Sequence, residues 1–216
     1  MSLRLYPFRQ YNETDVINMF ANDTADLLPS TNGNGSAGVF VKVSAGNLDS
    51  DPIGLAANGY LGNTSYPFLG ADYYPSVPLL FTAATNAAPV LGMTLNPTLQ
   101  YDENNEKLLY NPQKKAELQA VLSGQACPVA TKGIFMLADS AIDWDANIAV
   151  GNRVVISATA GKISGVALNS TGKIVVGQIY ATGTRTSQNL KSDYFAGTGT
   201  AKMALVHINC QNPSLF

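Results

Sequence analysis

The chain has one histidine and two cysteines in 216 residues, so the chemistry open to it is narrow. A Ser-His-Asp or Cys-His nucleophile system would have to use His207 as its base. His207 falls in the run from Met203 to Ile208, where it shares a face with Met203 and Leu205, as expected for a histidine in a strand. No serine sits in a G-x-S-x-G elbow. Zinc needs four clustered Cys and His ligands, and Cys127 and Cys210 are far apart. They read as two free thiols of a protein made in a reducing cytoplasm, although one bridge between them is possible.

The acidic groups give no better constellation. Asp143 and Asp145 flank Trp144 but lack the further oxygen ligands of a calcium loop. Asp102, Glu103 and Glu106 form the densest acidic cluster, which reads as a turn and not as a glycosidase dyad. Gly197-Thr198-Gly199-Thr200 lacks the lysine of a phosphate-binding loop. The expectation is a chain with no catalytic residues, no metal site and no cofactor.

Bulk composition points the same way. Hydrophobic residues make up 46% of the chain, enough to bury a core. Charged residues are only 13%, against about 25% in ordinary domains. Uncharged polar residues must therefore cover most of the surface, which suits a protein lying against other proteins. The net charge is −2 and the 13 Lys and Arg are spread along the chain, so nucleic-acid binding is not expected. No stretch approaches the 18 apolar residues of a membrane span. The N-terminus also lacks the apolar core of a signal peptide, so the expectation is a soluble protein made in its producer's cytoplasm.

Three segments are expected. Residues 1–36 read as an N-terminal arm carrying Arg4, Tyr6, Phe8, Arg9 and Tyr11, residue types that anchor interfaces. Within it a short helix is predicted, with Asn12 as N-cap and Val16, Ile17 and Phe20 on one face. The segment ends in the turn-prone 32–36. Residues 37–131 read as a β-rich segment with long loops and one helix. In it Val39, Val41 and Val43 alternate with polar or aromatic neighbours, and strands are predicted at 77–81 and 90–95. Asn111 and Pro112 should start a helix of about three turns that stops at Gly124.

Residues 132–216 read as a small β-barrel, packed with 37–131 as one unit. Strands are predicted there at 133–137, 153–157, 162–167, 173–180 and 202–208, separated by glycine turns. The fold class is mainly β: a small antiparallel barrel or sandwich with one short packed helix, long loops and an extended N-terminal arm. Exposed aromatics are expected in the loops, at Tyr60, Tyr66, Tyr73 and Tyr74 and at Tyr194 and Phe195.

The run from Tyr11 to Phe20 (YNETDVINMF) resembles the start of auxiliary capsid proteins of large tailed phages, notably those infecting cyanobacteria and other marine bacteria. Leu91 to Leu95, Asp102 to Asn104, Tyr110 to Lys114 and Ser123 to Phe135 are similar to the same group. The region 132–209 also resembles the small β-barrel of phage head-decoration proteins. Gly133-Ile134-Phe135, Gly151-Asn152-Arg153-Val154, Gly161-Lys162-Ile163 and Gly177-Gln178-Ile179 match its glycine-punctuated strands. Residues 45–88 and 184–200 have no counterpart there.

The resemblance implies a non-enzymatic virion structural protein on the outer capsid surface. It would decorate and stabilise the shell by binding across subunits of the major capsid protein, as a homotrimer or other homo-oligomer. The subunit-interface candidates are Arg4, Tyr6, Phe8, Arg9, Tyr11, Val16, Ile17 and Phe20. The alternative is a receptor- or glycan-binding module of a phage fibre or head appendage, using the loop aromatics and Trp144.

Overall fold

A computed structural model describes residues 3–21, 35–45, 80–85, 89–99, 101, 102, 104, 106–122, 125–169, 174–186 and 200–211. Tyr60, Tyr66, Tyr73, Tyr74, Tyr194 and Phe195 lie outside the described residues.

The chain is mainly β, as expected. Its strands are β1 (Leu5–Gln10), β2 (Val16–Ala21), β3 (Phe40–Ala45), β4 (Leu80–Ala83), β5 (Gly92–Thr94) and β6 (Ala126–Ala130). These are followed by β7 (Lys132–Ala138), β8 (Ile142–Asp143), β9 (Arg153–Ile156), β10 (Ile163–Val166), β11 (Val175–Thr186) and β12 (Thr200–Asn209). Among the described residues one α-helix, α1 (Pro112–Glu117), stands between them.

Seven strands form an open sheet in the order β1-β7-β12-β11-β9-β10-β8. The other five follow the order β2-β4-β3-β5-β6, and β6 pairs back on β2 to close a small ring. The barrel expected over 132–209 is thus an open sheet, and the closed ladder lies earlier in the chain. Each architecture follows from which faces are apolar. In β12, Ala204, Val206 and Ile208 are buried while Met203, Leu205 and His207 are half-buried, so one face is covered more completely than the other. Where the ring meets the open sheet, both faces of its wall are buried. Val39, Val41, Met19, Phe81, Cys127 and Val129 cluster together. Phe40, Met93 and Ala130 pack instead against Phe135, Val154, Ile163 and Val206 of the open sheet. A ring wall buried on both sides explains why Phe40 and Val41, neighbours in sequence, are both fully buried.

The two sheets are joined by a bent ribbon. β1 runs antiparallel to β7, and β2 runs antiparallel to β6. Only Thr131 separates β6 from β7. At the bend the Thr131 backbone N–H and hydroxyl both donate to the Asp15 carbonyl, each at 2.8 Å.

Several expectations are corrected here. The helix predicted after Asn12 is a single 3-10 turn, Glu13–Asp15, and the Asn12 side chain caps nothing. Val16 and Ile17 then start a strand, because β-branched residues lose little rotamer freedom in extended backbone and β6 supplies their hydrogen-bond partners. The three-turn helix is only six residues long. Asn111 does cap it, accepting from the Lys114 N–H at 3.2 Å. Gln119 then enters the left-handed region at φ 51°. The Gln119 and Ala120 N–H groups bond back to Ala116 and Lys115, which closes the end before Gly124 is reached. Strands β11 and β12 extend further than expected, to Thr186 and from Thr200.

Candidate functional site

The groups that could do covalent chemistry are kept apart by the sheets. His207 sits in β12 between Gln178 of β11 and Ile134 of β7. Its Nδ1 lies 3.2 Å from the Tyr180 hydroxyl, and the two rings are 5.5 Å apart. Burial, with a smaller contribution from Lys132, holds its pKa below the ordinary histidine value. The strand histidine expected from sequence is therefore part of a surface pair with a tyrosine. Asp143 lies on β8, four places from β12 in the strand order.

Cys127 is enclosed in the ring, and burial pushes its thiol pKa up to about 12 against a weaker opposing pull from the Asn96 backbone. Cys210 is also raised to about 12 by burial, and neither cysteine is in a disulfide. Thiols held this far above neutral pH are poor nucleophiles. Among the described residues, no three His, Cys, Asp or Glu side chains converge as metal ligands.

A polar cluster marks the seam between the sheets. Arg4, the residue just before β1, is 1% exposed. Its guanidinium donates through Nη2 to the Gly161 carbonyl, in the turn between β9 and β10. Burial lowers the Arg4 pKa to about 10, while Asp143 pulls it the other way. Gly161 is itself wedged into the ring. Its N–H donates to the Ala84 carbonyl at 2.8 Å, and its carbonyl accepts from the Phe40 N–H at 3.2 Å. Beside it, Asp143 accepts from the Ser157 hydroxyl and lies 3.5 Å from the Lys162 ammonium. The two Gly161 backbone bonds join the open sheet to the ring, and the Arg4 and Asp143 contacts hold that turn in place from the open-sheet side.

The arm candidates divide accordingly. Arg4 and Tyr6 are buried within the chain, and Val16 and Ile17 are half-buried against the two apolar clusters. Phe20 pairs with Leu80 and Ala126. Phe8 and Tyr11 remain in the open, at 47% and 39% exposure, with Arg9 exposed between them. Trp144 is half-buried, with the Lys202 ammonium 5.4 Å from its ring centre, so it offers little free surface.

At the bend of the ribbon Arg9 and Tyr11 edge an open hollow of about 330 Å³. Arg9 and Tyr11 come from β1 and its exit, Glu13 from the 3-10 turn, Asn18 from β2, Asn96 from the bend after β5, and Pro128 from β6. Tyr11 stacks on Phe135 with centroids 5.8 Å apart and planes 21° from parallel. Arg9 Nη1 donates to the Leu95 carbonyl at 3.3 Å. Glu13, Asn18, Asn96 and Pro128 carry no signal of their own in the sequence. Asn96 and Pro128 meet Arg9 only because β2 pairs with β6 and β1 with β7.

The sequence matches no protein-family model and no curated protein.

Proposed function

We propose that the chain is a non-enzymatic structural protein of a tailed-phage particle, seated on the outer capsid surface and bridging subunits of the major capsid protein. The observation that carries this reading is the edge strand β1. Its first residues are sunk in the fold, while Phe8, Arg9 and, just past its end, Tyr11 stand exposed, Arg9 and Tyr11 at the edge of an open hollow. Aromatic and arginine side chains on a rigid element are the groups that anchor interfaces at small entropic cost. The low charge content and the resemblance to auxiliary capsid proteins support the same reading.

The physics of the task is modest. A packed genome pushes the shell outward, and contacts across capsomer seams resist it. Apolar burial contributes about 25 cal/mol per Å², reduced by the losses of association and side-chain ordering. Many copies, assembled as homo-oligomers on one lattice, make weak individual contacts sufficient. The test is to purify particles from infected cells and follow this chain through a density gradient. It should band with full heads, and heads lacking it should release their DNA at lower temperature. A chain that stays at the top of the gradient while heads band normally would refute the proposal.

A further inference from the structure

The geometry points to a carbohydrate-binding site in the hollow at the ribbon bend, taking an uncharged pyranose on Tyr11. One face of the Tyr11 ring is stacked on Phe135, which is fully buried, and the ring is nonetheless 39% exposed. A flat aromatic held from behind is a platform for the C–H-bearing face of a sugar ring, an apolar contact that needs no deep pocket.

Around this platform stand groups suited to hydroxyls. Each sugar hydroxyl both donates and accepts. The amides of Asn18 and Asn96 offer both functions, the Arg9 guanidinium donates and the Glu13 carboxylate accepts. Arg9 and Glu13 carry opposite charges, so their fields cancel and a neutral ligand fits better than a phosphate or an acidic sugar. The site is also held in place before any ligand arrives. Arg9 is tied to Leu95, and Thr131 fixes the turn that carries Glu13 through its two bonds to Asp15. The hollow is open and lies at the small end of the range for ligand sites, about 300–1,000 Å³. That shape lacks the enclosed apolar pocket in which a protein hot spot seats an aromatic or aliphatic side chain.

The inference does not rest on shell binding, but both claim Tyr11, so a sugar and a capsid subunit would exclude each other there. It is tested on the full chain by saturation-transfer NMR with three neutral disaccharides, maltose, lactose and N,N′-diacetylchitobiose, at millimolar concentration. At least one should show transfer to its ring protons, and Tyr11→Ala and Asn18→Ala should each reduce that signal at least fivefold. Asn18 is exposed, so Asn18→Ala and Glu13→Gln decide the matter if Tyr11→Ala fails to fold. Absence of transfer to all three sugars would overturn the inference. So would transfer that the Asn18 and Glu13 variants leave undiminished, which would place the sugar elsewhere. Shifts of the groove resonances on adding capsid shells but never on adding sugar would assign the hollow to protein docking and also overturn it.

Discussion

The Arg4 guanidinium donates to the carbonyl oxygen of Gly161, a residue 157 positions further along the chain, inside the seam between the two sheets. Among the described residues its Nε and Nη1 have no partner. A buried cation so incompletely satisfied is costly to keep and costly to delete. Arg4→Ala leaves a cavity and takes one of its two donors from the Gly161 carbonyl, which keeps the Phe40 N–H, and should destabilise the fold by about 3 kcal/mol. Arg4→Met fills the space without a charge and should cost less than half as much. Chemical denaturation of the two variants checks the order. Equal losses would mean that the charge itself holds the seam.

Gly161 should tolerate no side chain. Its φ is +71°, and a β-carbon there would come within 2.6 Å of the Val39 side chain. Left-handed backbone and overpacking together predict a loss of about 2–4 kcal/mol for Gly161→Ala. The denaturation midpoint would report it. Gly151 is a useful control, because its φ is +86° but nothing lies within 4 Å of the added carbon. Gly151→Ala should show the backbone penalty alone.

Acid should loosen the same seam through Asp143. Burial alone would raise its pKa, but the Ser157 hydroxyl, Thr159 and Lys162 outweigh burial and hold it below the usual carboxylate value. A carboxyl whose folded pKa is depressed contributes stability above its unfolded pKa, near 3.8, and loses it as pH falls through the folded value. Thermal melts from pH 7 down to pH 2 should therefore drop more steeply for the natural chain than for Asp143→Asn below about pH 4. Parallel curves would show that Asp143 is not linked to folding.

The thiols should be silent or slow in the native state. With its pKa pushed to about 12 and its side chain fully buried, Cys127 should not react with a disulfide reagent at pH 8, and the half-buried Cys210 should react only slowly. Two equivalents should react once the chain is unfolded. Fast labelling of either cysteine in the native protein would contradict the packing described for it.

Much of the fold was legible where period and punctuation agreed. β9, β10 and β12 lie within a residue or two of their predicted places, because glycine turns bound short runs rich in β-branched residues. β2 was misread because Val16, Ile17 and Phe20 satisfy a helical spacing and a strand equally well. What decides between them is β6, and Ala126–Ala130 has a proline at its centre and no clean alternation. The helix end was misplaced for a related reason: Gln119 takes the left-handed position that sequence reasoning assigns to glycine. Of the site, the exposed aromatics of β1 could be named in advance, whereas the burial of Arg4 could not. That burial depends on the turn at Gly161 arriving from the other end of the chain.

The most direct test of the proposed role is binding of the purified chain to expanded, empty shells of the particle that encodes it, followed by co-sedimentation. The natural chain should pellet with the shells and saturate. Phe8→Ala combined with Tyr11→Ala should lose at least tenfold in affinity, about 1.4 kcal/mol, while keeping its fold. Failure of the natural chain to sediment with intact shells, or full binding by the double variant, would contradict attachment through the exposed edge of β1.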